Sequence, residues 1–114
     1  MAAASRLGDS VAGTTAGEHS GHTGWHRHGA QAFTGEISGG CSADVFINGI
    51  AAATMGSITF EVDSCCGGSN GKVGAGSSTV FINGKPAARI GDALNAHSGS
   101  GTVTGGSTDV WIGG

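Results

Sequence analysis

The chain has 114 residues, 24 glycines against a single proline, 5% aromatic residues and a formal charge of −3. Such a chain has room for one small core and is entropically costly to order, so burial alone leaves it barely stable and a staple is expected: a metal, a disulfide or a partner chain. The five basic residues are scattered, which excludes an electrostatic footprint for nucleic acid, and no stretch reaches transmembrane length.

The opening MAAASRLGDS has no basic region followed by an apolar run, so no secretory signal is expected, and the predicted location is cytoplasmic. In that compartment three cysteines read as thiols or metal ligands rather than as a disulfide framework. Residues 2–9, AAASRLGD, are the first of three related segments; IAAATMGS at 50–57 and KPAARIGD at 85–92 are the others. Asp9 and Asp92 follow glycine and are expected to make turns, with Arg6 and Arg89 as ion-pair or carbonyl partners.

Each of these segments is followed by a variable loop, at 10–34, 58–70 and 93–100. Each loop leads into a β-rich segment: GEISGGCSADVFING at 35–49, GKVGAGSSTVFING at 71–84 and GTVTGGSTDVWIGG at 101–114. The last two match in length and the first carries one extra residue near Cys41, as a β-bulge would. Helical periodicity is not sustained, so the chain is predicted all-β, one domain of three repeats at about 2–49, 50–84 and 85–114. Three units closing on themselves would give a compact body with pseudo-threefold symmetry, suited to a threefold partner.

In the triplets Val45-Phe46-Ile47, Val80-Phe81-Ile82 and Val110-Trp111-Ile112, alternation sends Val and Ile to one face and the aromatic residue to the other. Aromatic residues in strands are mostly core, so the expectation is that both faces pack internally, the aromatic one under a neighbouring repeat. The alternative makes Phe46, Phe81 and Trp111 a docking face.

The three loops hold all five histidines and two of the three cysteines. Equivalent positions in three units bring the loops to one end, and imidazole with thiolate suits a closed tetrahedral zinc site, with iron as the other metal this chemistry admits. The expected ligands are His26, His28, Cys66 and His97, with Cys65, His22 and His19 as alternates. Read singly, each of these is also an ordinary solvated histidine or small buried thiol. Cys41, outside the loops, is expected to serve packing or the bulge.

Catalytic motifs fail on inspection. GGSNGKV places Cys66 where a phosphate loop needs its first glycine, and Val73 where it needs Ser or Thr. His19 and His22 beside Glu18 are three apart rather than four and have a glycine between them, unlike a zinc-hydrolase helix.

The stretch GKPAARIGD at 84–92 resembles the Pro-Ala-Ala-Arg motif of the PAAR-repeat family, and GSSTVFING and GGSTDVWIGG resemble its glycine-serine turn and Val-x-Ile-x-Gly strand. The resemblance is weakest at AAATMGS, where Thr54 and Ser57 stand for Arg and Asp. It implies a small cone whose base docks, one copy per trimer, on the blunt end of a β-helical spike, the VgrG-type protein of type VI secretion or a phage-type relative. The cone sharpens the spike, a histidine- and cysteine-bound metal braces its point, and membrane contact is transient, on injection. The implied role is mechanical, not enzymatic, with room for effector cargo. The chain end is expected to carry no further domain. The rival readings are a stand-alone metal-binding β-repeat protein and a small metal-dependent hydrolase.

Overall fold

The computed structural model describes residues 2–15, 18–21, 24–27, 32–63, 67–96 and 99–113, with 18–21, 24–27 and 67 as backbone. Among these residues every regular element is a strand. In chain order they are β1 (Ala2–Ala3), β2 (Ser10–Thr14), β3 (Glu18–Gly21), β4 (Gly24–Arg27), β5 (Ala32–Gly39), β6 (Phe46–Ile47) and β7 (Ile50–Ala51). They continue as β8 (Ile58–Asp63), β9 (Gly67–Val73), β10 (Phe81–Ile82), β11 (Lys85–Pro86), β12 (Leu94–Asn95), β13 (Ser100–Val103) and β14 (Trp111–Ile112).

Six strands form one antiparallel sheet in the order β12-β9-β8-β5-β2-β13, and a bridge between Ala93 and Thr102 brings its two edges together, so that the sheet is nearly closed. The body measures 40 × 23 × 23 Å. The segments 10–34 and 58–70 were expected to be loops; most of their described residues are instead strands of this sheet, because glycine-poor alternation such as Ile58 to Asp63 favours extended pairing. The irregularity expected near Cys41 falls slightly earlier, where β5 slips its register on β8 between Ile37 and Gly39. Cys41 packs against the core that fills the sheet, and burial raises its thiol pKa.

Below the sheet, Asn-Gly pairs close two-residue hairpins. Asn48 and Gly49 (φ 55° and 76°) join β6 to β7, and Asn83 and Gly84 (φ 53° and 79°) join β10 to β11. Both central residues have positive φ, the conformation that matches the strand twist and that Asn-Gly adopts with least strain. The corresponding third pairing joins distant parts of the chain, β1 with β14.

The centre is built from the PAAR-like segments. Ser5 N–H donates to the Ala88 carbonyl, Ala88 N–H to Ala53 and Ala53 N–H to Ser5, each at 3.0 Å, a closed ring of backbone bonds. All three residues are fully buried. Backbones that approach this closely leave room for a methyl or hydroxymethyl group and nothing larger, which is why the segments are written with alanine and serine. Ala4, Ala52 and Ala87 lie next to the ring and pack with Ile47, Ile82 and Ile112 into the lower of two core clusters. The upper cluster fills the sheet with Val11, Phe33, Ile37, Val73, Leu94 and Val103.

Candidate docking face and metal-ligand segments

In the short strands β6, β10 and β14 the isoleucine points inward and the preceding aromatic residue outward, as the period of two requires. Ile47, Ile82 and Ile112 are 7%, 8% and 6% exposed, whereas Phe46, Phe81 and Trp111 are 58%, 56% and 55% exposed. The expectation that these aromatics pack under a neighbouring repeat is therefore wrong. The inner face is already filled by alanine and isoleucine, and among the described residues nothing covers the outer one. Three large apolar side chains of nearly equal exposure, one on each of β6, β10 and β14, remain open to a partner.

A seam of hydrogen bonds fixes these strands to one another. Ser42, Ser77 and Ser107 each accept backbone N–H groups from two and three residues on: Asp44 and Val45, Thr79 and Val80, Asp109 and Val110. Each hydroxyl then donates across the seam, Ser42 to Asn83 Oδ1 at 2.5 Å, Ser107 to Asn48 Oδ1 at 2.6 Å and Ser77 to the Gly113 carbonyl at 2.7 Å. At two seams the asparagine amide also donates to a carboxylate, Asn83 to Asp44 and Asn48 to Asp109, both at 2.8 Å. These bonds hold both carboxyl groups below the usual carboxylate range. Sequence reasoning treated these serines only as turn formers. Their signal was present, a serine two residues before each Asp or Thr in all three units, but nothing local shows a bond to a residue 36 or more positions away.

The turns above the base behave as expected. Arg6 pairs with Asp9 at 2.9 Å and Arg89 with Asp92 at 2.8 Å, and each carboxylate also accepts the arginine's own backbone N–H at 2.7 Å. In the second unit Ser57 Oγ takes the carboxylate's place, accepting Thr54 N–H at 2.9 Å.

At the far end of the sheet, the register aligns Thr14 with Ala32 and with Ser100, and Asp63 with both Phe33 and Gly67. The strands β2, β5, β8, β9 and β13 therefore reach that one end, whereas β12 stops at Asn95, opposite Lys72, nearer the other. Of the expected ligands, His22, His28, Cys65, Cys66 and His97 lie outside the described residues. His19 and His26 are described as backbone and are direct register partners in the β3–β4 hairpin. Among the described residues no three His, Cys, Asp or Glu side chains come together.

The family model for the PAAR motif matches residues 21–96, well over half of the chain. The chain belongs to the PAAR-motif family. This is a structural family, of spike-tip proteins of contractile injection systems. A search of curated proteins returned no match. In this PAAR chain each residue of the motif has a physical task. Pro86 lies on β11 opposite Phe81, Ala87 fills the lower core, Ala88 sits in the central ring, and Arg89 pairs with Asp92 and donates to the Gly113 carbonyl at 3.3 Å.

Proposed function

We propose that this chain is the non-enzymatic tip of a contractile injection system, of the type VI or a related class. In this reading it is a cone of three units about a common axis that caps a trimeric VgrG-type or phage-type β-helical spike, one copy per trimer. The observation that carries it is the triad of equivalent, exposed aromatics, Phe46, Phe81 and Trp111, around a base held by a closed ring of three bonds. A trimeric end presents three identical sites, and a single chain engages all of them only by repeating its own contact.

Zinc, with iron as the alternative, is proposed as the brace at the opposite end, held by His26, His28, Cys66 and His97, with Cys65, His22 and His19 as alternates. The donor set fits: imidazole and thiolate suit a closed tetrahedral site, and each of the three segments that carry them adjoins a strand, β5, β8 or β13, that reaches the same end of the sheet. A closed four-ligand site supplies folding free energy rather than chemistry. That suits a point that must resist local unfolding. Assembly in the cytoplasm and delivery outward on contraction follow from the same reading.

Mixing the chain with a trimeric VgrG-type spike protein and measuring the mass of the complex tests the docking. One chain per trimer is expected, and replacing Phe46, Phe81 and Trp111 together by serine is expected to abolish the complex while the circular dichroism spectrum persists. Binding that survives the triple replacement defeats the reading of the base. For the brace, about one equivalent of metal per chain is expected. His97→Ala is expected to lose that metal and to lower Tm; a metal-free wild-type chain of unchanged Tm in chelator defeats the proposal.

A further inference from the structure

The strand β8 is written inside out. Its apolar residues Ile58, Phe60 and Val62 are 39%, 43% and 43% exposed, while Thr59, Glu61 and Asp63 face inward and are buried. The Thr59 hydroxyl donates to the Glu61 carboxylate. Other strands of the sheet behave in the ordinary way, with Ser10 and Thr14 on β2, Thr34 and Glu36 on β5 and Ser100 and Thr102 on β13 facing out. A slip of one residue would bury the three apolar side chains. The register is instead pinned at the base of the strand, where Gly56 N–H donates to Val73 and Val73 N–H to Ser57, each at 2.8 Å. Phe60 lies over Gly68, where any side chain would collide with its ring, so the stripe is flat and continuous.

The stripe runs into a groove. At its lower end is a hollow of about 480 Å³ lined by Ile58, Asn70, Gly71, Lys72 and Asn95. A second hollow of about 310 Å³ shares Lys72 and Asn95 with it and continues past Met55 and Pro86 to Lys85. Lys72 and Lys85 are the only lysines of a chain with net charge −3. Neither makes an ion pair among the described residues. Glu36 flanks the opposite side of the stripe, as the register partner of Phe60 on β5. Along the groove, β12 pairs only with Lys72 and Val73 of β9, so among the described residues the backbone from Gly68 to Gly71 has no strand partner on that side.

From this geometry we infer that the outer face of β8 and the adjoining groove form a second docking site, separate from the aromatic base. Its occupant is an extended peptide segment of a partner protein, with apolar residues at alternate positions and acidic residues on the side of Lys72 and Lys85. The apolar stripe provides the contact area, the backbone of β9 without a strand partner among the described residues the reason for an extended ligand, and the two lysines the sign of its charge. The site belongs to one unit of the three, so it takes one ligand per chain whatever the symmetry of the base.

The test is a titration of the isotope-labelled full chain with a synthetic peptide of about eight residues alternating valine and aspartate, long enough at about 3.3 Å per residue to cover the strand. Amide shifts confined to Phe60, Asn70, Lys72, Asn95 and their neighbours are expected. Lys72→Glu is expected to weaken binding about tenfold or more and to remove its salt dependence. Phe60→Ser is expected to abolish it; if that variant loses its spectral dispersion, Lys72→Glu with Lys85→Glu carries the test. A peptide alternating valine and lysine is expected not to bind. Equal binding of both peptides, shifts elsewhere, or no shifts overturns the inference. So does self-association of the wild-type chain that Phe60→Ser abolishes, because the face would then be covered by a second copy.

Discussion

The second and third units trace the same turn with different chemistry. In the third, Asp92 accepts the backbone N–H of Arg89 and pairs with its guanidinium. In the second, Ser57 accepts the backbone N–H of Thr54, and its hydroxyl donates to the Gly40 carbonyl at 3.1 Å. The bonds that join each turn to its neighbours are otherwise alike: Met55 N–H to Pro86 at 2.8 Å matches Ile90 N–H to Ala3 at 3.0 Å, and Gly56 N–H to Val73 matches Gly91 N–H to Val103, both at 2.8 Å. The turn therefore requires a side-chain acceptor three residues on, and the ion pair is an addition to it. Where the guanidinium is missing, a hollow of about 220 Å³ bordered by Cys41, Thr54, Asn83 and Lys85 remains. The second unit is also the one whose strand β8 turns its apolar side outward, so both departures from the repeat fall in one third of the molecule.

The comparison breaks most completely at what the two units share. Ala53 and Ala88 are adjacent members of the central ring, and neither has room to grow. Ala88→Leu adds a branched side chain where three backbones meet, and a loss of about 3 kcal/mol or more is expected, at or beyond the upper end of overpacking. Urea denaturation read by Trp fluorescence measures it. A loss below about 1 kcal/mol would mean that the ring opens at little cost and is not what holds the units together.

A smaller effect separates the two turns. Ser57→Ala leaves a buried Thr54 N–H without its acceptor and is expected to cost about 1–3 kcal/mol. Asp92→Asn keeps an acceptor for the Arg89 N–H but gives up the charge and one carboxylate bond at a side chain only 6% exposed, while the more exposed guanidinium can turn to water; about 1 kcal/mol is expected. The joint replacement Thr54→Arg with Ser57→Asp rebuilds the third unit's chemistry in the second, and a small gain of about 0.5 kcal/mol is expected from refilling the hollow. If Asp92→Asn proves the costlier of the two single changes, the ion pair rather than the acceptor makes the turn.

Much of this was readable from the sequence, for reasons that the two units make plain. The repeat, the β class, the Arg–Asp turns and the family rest on local spelling, which PAARIGD and VFING carry in a few residues. What escaped depends on partners far along the chain. The hydroxyl of Ser77 reaches Gly113, and the ring joins Ser5, Ala53 and Ala88, contacts that no local pattern announces. The segment 58–70 read as a loop because its ITFEVD alternation was set aside in favour of its cysteines and glycines. Even read as a strand, its pattern predicts the opposite face buried. The exposure of Phe46, Phe81 and Trp111 was likewise undecided by alternation, which separates two faces without saying which of them meets a partner.

The smallest expected effect lies at the seams, where the chain again compares its units. Two seams carry a carboxylate, Asp44 and Asp109, and the remaining one has Thr79 in that place. Both carboxyl groups are held below their ordinary pKa, first by the asparagine amide and then by the serine hydroxyl. A group whose folded pKa is depressed contributes its stability in full above the unfolded pKa, about 3.9 for Asp. That contribution is lost as pH falls through the lower folded values. Thermal stability is therefore expected to be flat, as far as these groups are concerned, down to about pH 4 and to decline below it. Asp44→Asn with Asp109→Asn should lower Tm slightly near neutral pH and make the decline shallower, since amides in those places do not titrate. Because both carboxylates sit at the surface, solvent screens the effect, and a shift of a few degrees or less in Tm is what a pH series should resolve. A decline equally steep in the double variant would assign the acid sensitivity to other carboxylates and leave these seams as neutral hydrogen bonds.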